Sequence, residues 1–190
     1  MNDNKQKILS SALRLFNEKG TSEVSTNHIC DYISISPGNL YYHFRSKEEI
    51  IISLFQQMIQ KWDSKPVLGN PSLDILFSMY EKVFQFLWDY RFIHREISAL
   101  YHRIEQFRTI FDKVQQRRIK EIQKFISEYS KTGVFRSMNK KEIKALSRTI
   151  WFFSLYWITY LETEGKKITR NSLKESIDIL KGIVQPYIKT

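Results

Sequence analysis

The residues with the most chemical character stand in one short window. After Ser36 the chain runs Pro37, Gly38, Asn39, Leu40, Tyr41, Tyr42, His43, Phe44, and Lys47 follows three positions later. Tyr, Asn and His side chains donate and accept hydrogen bonds, and a lysine ammonium pairs with an anion. Such a set can read a polyanion whose grooves carry donors, acceptors and methyl groups. Tyr and Asn bond to phosphates and base edges, a tyrosine ring packs on a thymine methyl, and a glycine lets backbone approach closely. From Tyr32 to Lys47 the chain holds Arg45 and Lys47 and no acidic residue.

The elements that must position these side chains are short. Ser25–Ile33 reads as a first helix, Ser34-Ile35-Ser36 as a three-residue turn, and Pro37–Phe44 as a second helix, which is helix-turn-helix geometry. Val24-Ser25 before Ile29, and Ile35-Ser36-Pro37 before Leu40, each look like an N-cap with a hydrophobic staple. Leu40 and Phe44 share a face and must point inward, so Tyr42 lies almost opposite them, Gly38 nearby, and Asn39, Tyr41 and His43 on the flanks. Ser46-Lys47-Glu48-Glu49 is a capping box that opens a helix running to about Trp62. Lys47 in its first turn can meet a phosphate beside that helix's N-terminal N–H groups.

Around this motif the apolar spacing is helical almost throughout. Ile8, Leu9, Ala12, Leu13 and Phe16 form one stripe ahead of Gly20. Ser64–Ser72, with two prolines and a glycine, is the one clear linker. Leu73 to Tyr90 is apolar nearly all round and reads as a central buried helix. One shorter helix follows through Ile93, Ile97, Leu100 and Ile104, then a basic amphipathic one stopped near Gly133. The last pair is Lys140–Glu164 and Asn171–Ile188. The fold class is therefore all-α with about nine helices. A helix-turn-helix domain spans residues 1–63, including a connecting helix 47–63, and a helical ligand-binding and dimerisation domain spans 73–190.

Composition narrows the function. The chain of 190 residues is 42% hydrophobic with six glycines and four prolines, enough for a helical core. Its net charge is +10, but the first fifty residues carry six basic and six acidic groups and sum to zero. The surplus lies beyond them, in part on a run from Arg103 through Arg117, Arg118 and Lys120 to Lys124 that is ordinarily a solvated face. Cys30, the sole cysteine, excludes an internal disulfide and stands between Ile29 and Ile33 as a small buried hydrophobe rather than a redox switch. No apolar run behind the first residues suits a signal peptide, and the most hydrophobic stretch, Trp151–Leu161, is short of the ~20 residues of a membrane span. A soluble cytoplasmic protein without a membrane partner is expected. His94 and His102 are eight apart, about 12 Å along a helix, too far to share a metal. Without a phosphate loop, a nucleophile elbow or an HExxH motif, neither catalysis nor a cofactor is expected.

The series Ile8, Ala12, Phe16, Gly20, Ile29 and then Ser36 through Ile50 resembles the DNA-binding domain of the TetR family over residues 5–52. The resemblance implies a homodimer on a palindromic operator in double-stranded DNA, usually a repressor released by ligand. By position it puts Thr26, Ser36, Pro37, Gly38, Asn39, Tyr41, Tyr42, His43 and Lys47 at the DNA. The chain departs from the pattern at Cys30 and Ile33, where small alanines are usual, at Ser34 in place of the turn glycine, and at Pro37.

In the C-terminal domain Phe77, Tyr80, Phe84, Trp88, Tyr101, Phe107 and Trp151 are candidates to line a cavity for an apolar small-molecule effector, although such rings can equally be core. Trp151–Leu161 has apolar groups on more faces than one domain can hide, so Trp157 and the stripe Leu173, Ile177, Leu180 and Val184 are expected at a dimer seam. Two alternatives stay open: a DNA-binding regulator whose C-terminal domain only dimerises, and a membrane-surface or scaffold protein using the basic helices.

Overall fold

The computed structural model describes residues 3–64, 70–165 and 169–189, apart from the side chains of Arg170, Asn171 and Leu173. Among them are ten α-helices: α1 (Asp3–Lys19), α2 (Thr26–Ile33), α3 (Pro37–His43), α4 (Lys47–Asp63), α5 (Leu73–Asp89), α6 (Arg91–Arg95), α7 (Ile97–Arg103), α8 (Glu105–Lys131), α9 (Lys140–Thr163) and α10 (Arg170–Val184). A 3-10 turn at Gln185–Tyr187 follows α10.

Local hydrogen bonds explain most of the helix starts. The hydroxyls of Ser25, Ser36 and Ser46 each accept an N–H three residues on, from His28, Asn39 and Glu49, all at 3.2 Å. Asn139 does the same for Lys141 and Glu142 at the start of α9. The single helix expected through Ile93 and Ile104 is two. Glu96 leaves helical geometry at φ −111°, ψ 14° and ends α6 while opening α7. The break costs little backbone bonding, because the Glu96 N–H still donates to Phe92 O and its carbonyl still accepts from Leu100 N–H.

The chain forms two units. Of the described residues, the first holds those within 1–66 and 90–109, so that 90–109, part of the expected domain 73–190, have their contacts with the helix-turn-helix. Ile8, Ala12, Phe16, Ile29, Leu40, Ile50 and Leu54 supply its buried core. Phe92 of α6 packs against Phe16 of α1 with ring centres 5.3 Å apart, and Phe107 stacks on Phe55 of α4 at 4.4 Å. Those two ring pairs tie residues 90–109 to the first unit.

The second unit holds residues 67–89 and 110–190. Within it α10 packs along α5. α5 is not buried all round: Leu76, Tyr80, Phe84, Phe86 and Leu87 face inward, whereas Asp74, Ser78, Glu81 and Lys82 meet solvent. Four of the five residues expected at a subunit seam have described side chains. Trp157, Ile177, Leu180 and Val184 are all buried inside this unit, because the stripe on α10 is answered by α5 of the same chain. The Leu173 side chain lies outside the described residues. The segment after α8 clasps the one after α10: Phe135 and Ile188 form an antiparallel bridge, Arg136 N–H donates to Tyr187 O at 2.8 Å, and Lys189 N–H to Val134 O at 3.0 Å. Arg136 also covers the Tyr187 ring and pairs with Glu142 at 2.8 Å.

Candidate nucleic-acid interface

α2, its turn and α3 are held by bonds that reach only a few residues. Ser34 ends α2 in the left-handed region at φ 54°, where a glycine is the usual occupant, and lets Ile35 N–H return to Cys30 O at 3.1 Å. Pro37 at the first position of α3 has its φ preset and gives up an N–H that no helix would use. Leu40 and Phe44 are buried and anchor α3 from below.

What α3 turns outward is the expected set. Tyr42 is 80% exposed and Tyr41 50%, while Pro37 and Gly38 are exposed as well. A ring area of that size left in water gains nothing for the folded unit itself. A Cβ built on Gly38 would meet only Ser36 Oγ, at 3.9 Å, so nothing within the chain requires glycine there. Tyr41 OH lies 3.3 Å from Thr26 Oγ1, which brings the first residue of α2 onto the same face. The His43 ring, half-buried, meets the edge of Tyr42 at 5.1 Å.

Three of the candidates stand in surroundings that qualify their role. Ser36 Oγ is taken up as the cap of α3. Asn39 is half-buried, and its Oδ1 is interior with no hydrogen-bond partner among the described residues. An unpaired interior carbonyl oxygen is costly, and a rotation of the amide that exposes it removes that penalty. Lys47 Nζ donates to the backbone carbonyl of Thr21 at 2.6 Å. An ammonium has three donors, so this bond orients the group without exhausting it.

Sequence reasoning missed three neighbours of the motif. Asp3 and Asn4 at the start of α1 line a surface cleft of about 350 Å³ with Asn39, Tyr42 and His43. Thr21, wholly buried, holds Lys47; nothing local marks it, since its partners are far along the chain. Cys30 is buried, and burial, with a smaller contribution from Asp31, pushes its thiol above the ordinary range, the opposite of a reactive thiolate.

The candidate effector residues are divided between the two units. Tyr101 and Phe107 belong to the first unit, and Phe107 is wholly buried against Phe55. Phe77, Tyr80, Phe84, Trp88 and Trp151 belong to the second. There Tyr80 and Phe84 are buried, Phe84 meets Phe153 at 5.8 Å, and Trp151 Nε1 donates to Gln115 Oε1 at 3.1 Å. Burial, with a smaller contribution from Tyr129, pushes the Tyr80 hydroxyl well above its usual pKa. No group of metal-binding side chains and no helix long and apolar enough to cross a membrane occurs among the described residues.

Two family models match the chain, one described as bacterial regulatory proteins, tetR family, over residues 8–54, and one as a bacterial transcriptional repressor, TetR, over residues 54–190. IcaR of Staphylococcus aureus (strain Newman), a negative transcriptional regulator of the biofilm operon icaADBC, is 31% identical over 137 residues, covering 65% of this chain and 70% of that protein. The uncharacterised HTH-type transcriptional regulator YerO of Bacillus subtilis (strain 168) is 30% identical over 82 residues, 40% of this chain, and the match spans only 28% of its length. The crystal structure of a TetR-family transcriptional regulator from Marinobacter aquaeolei VT8 superposes with a TM-score of 0.87 at 31% identity, covering 97% of this chain and 90% of that one.

Proposed function

Since the chain belongs to the TetR family of bacterial transcriptional repressors, we propose that it works as a homodimer which binds a palindromic operator through α3 and leaves it when a small apolar effector binds. The observation that carries the DNA contact is Tyr42, 80% exposed on a short helix whose opposite side is locked by Leu40 and Phe44. Tyr42, Tyr41 and Asn39 read base edges; Thr26, Lys47 and the backbone at Pro37–Gly38 meet the sugar-phosphate chain. A protein reading chromosomal DNA works in the cytoplasm.

The dimer seam is α9. Phe152, Tyr156 and Tyr160 recur every fourth residue on one face and are all exposed, at 64%, 38% and 49%, and Ile179 of α10 is exposed as well. Rings at that spacing form a continuous strip, which a second copy related by a two-fold axis would cover with its own. Two α3 helices then present half-sites about one DNA turn apart, roughly 34–36 Å, or somewhat more.

For the effector, the aromatic set on α5 with Trp151 remains the proposed lining, and Tyr101 and Phe107 are set aside as core of the first unit. A reading without an effector is favoured by the way Phe84, Phe153, Trp151 and Gln115 already satisfy one another. Selection from a random duplex library tests the DNA reading. The wild type should enrich an inverted repeat, and the Tyr42→Ala/Lys47→Ala protein should enrich none; a random pool from both would sink it. The selected operator then serves to screen apolar and aromatic compounds for release, which separates the two effector readings.

A further inference from the structure

Every polar group of Thr21 is engaged. Its N–H donates to Glu96 Oε1 at 2.7 Å, its hydroxyl bonds Glu96 Oε2, and Arg103 Nη2 donates to that hydroxyl oxygen at 3.1 Å. Its carbonyl accepts from Lys47 Nζ at 2.6 Å. One wholly buried residue thus joins the segment after α1, the first residue of α4 and the junction of α6 with α7. The stitching continues beside it. Asn17 Oδ1 accepts from Phe92 N–H at 3.0 Å, and Arg95 Nη1 donates to Asn17 O at 3.1 Å. At Gly20, where φ is +85°, an added Cβ would lie 3.0 Å from Glu96 Oε1. The carboxylate is therefore seated in a space that only glycine leaves open.

We infer that Glu96 is a positioning residue for operator binding, acting through Thr21 on Lys47; the inference rests on the reading above, in which Lys47 meets a phosphate. An ionised carboxylate accepts only, and here it takes both the N–H and the hydroxyl of one residue. That pair of bonds fixes the plane of the Thr21 backbone and with it the direction of the carbonyl. A lysine ammonium rides on a flexible four-carbon stem, and ordering it at the moment of binding costs affinity. Bonded to a fixed carbonyl, it is ordered beforehand. Glu96 itself never touches the ammonium, so its charge holds the lysine's support without neutralising the lysine. Residues that lie beyond the linker in sequence thereby set how well the motif grips DNA.

Operator affinity measured by fluorescence anisotropy across a salt series, for the wild type, Glu96→Gln, Lys47→Met and the double variant, tests this. Glu96→Gln keeps the side-chain shape but cannot accept on both arms. It should weaken binding roughly tenfold, leave the preferred operator sequence unchanged, and make the slope of log K against log salt shallower by about 0.9 per protomer. Lys47→Met should do the same, and the double variant should lose no more than either alone. Equal affinity of Glu96→Gln and wild type overturns the inference. So does additivity of the two changes, or a loss that follows only the melting temperature, since either marks a merely structural role. A wild type that selects no operator is a different failure, visible before any variant is made, and removes the DNA reading itself.

Discussion

Among the described residues two helices each leave more than one aromatic ring in solvent, and they do so in different patterns. On α3 the exposed rings are neighbours, Tyr41 and Tyr42, flanked by Gly38, Asn39 and His43 on a helix of seven residues. On α9, with 24 residues, they are Phe152, Tyr156 and Tyr160, one per turn and aligned. Adjacent rings fan out over about 100° of a helix and suit a concave groove with polar walls; rings at every fourth position form a strip and suit another helix. The difference teaches that exposure alone does not identify a partner, whereas spacing and polar company do. The short helix can afford exposure because caps and two buried anchors hold it, and the long one because its other faces fill the core of its unit.

The comparison can be broken most forcefully on α9. Phe152→Glu with Tyr156→Glu should raise the dimer dissociation constant on the order of a thousandfold, so that sedimentation velocity finds monomers while circular dichroism is unchanged. A dimer that survives would mean that the strip serves something else. Next comes α3: Tyr42→Ala should cost about 1–3 kcal/mol of operator affinity per protomer and leave the oligomeric state alone. Loss of the dimer in this variant would show that the two faces are not independent. A smaller effect is expected at the turn. Ser34→Gly relieves the left-handed φ of 54°, which costs a side-chain-bearing residue about 1–2 kcal/mol, partly offset by glycine's freer unfolded chain. The denaturant midpoint of the first unit should rise slightly with its slope unchanged, and destabilisation would contradict the turn geometry.

The smallest effect belongs to the second unit. The hydrogen bond from Arg136, helped by Asn139 N–H, holds the Glu142 carboxyl below the usual carboxylate range. A depressed folded-state pKa means stability that is present above the unfolded value and lost as pH falls through the folded one. Glu142→Gln should therefore melt below the wild type at neutral pH, with the two curves converging in acid. A gap that persists at low pH would assign the effect to packing. Operator binding should not notice the change.

The motif was legible because its determinants are local. Ser25, Ser36, Ser46 and Pro37 act within three residues, and Leu40 with Phe44 sets which side of α3 faces in. The break at Glu96 was not legible, since what draws that side chain is Thr21, 75 positions earlier. For the same reason residues 90–109 read as part of the second domain although Phe92 and Phe107 pack on Phe16 and Phe55. On α10 the periodicity of Ile177, Leu180 and Val184 announces a buried face but not whose surface buries it, and α5 answers first. Trp151–Leu161 does carry more apolar faces than its unit hides, and the rings left exposed are Phe152, Tyr156 and Tyr160.

The clasp between Val134–Arg136 and Tyr187–Lys189 changes what those tail residues report. Segments that follow a last helix usually fray, and their amides exchange with solvent in seconds. Here the amide of Lys189 is bonded to Val134 and that of Arg136 to Tyr187, so neither proton exchanges until these two segments part. In a deuterium-exchange experiment Lys189 should keep time with the interior of its unit, a clock hand at the rim driven from the centre.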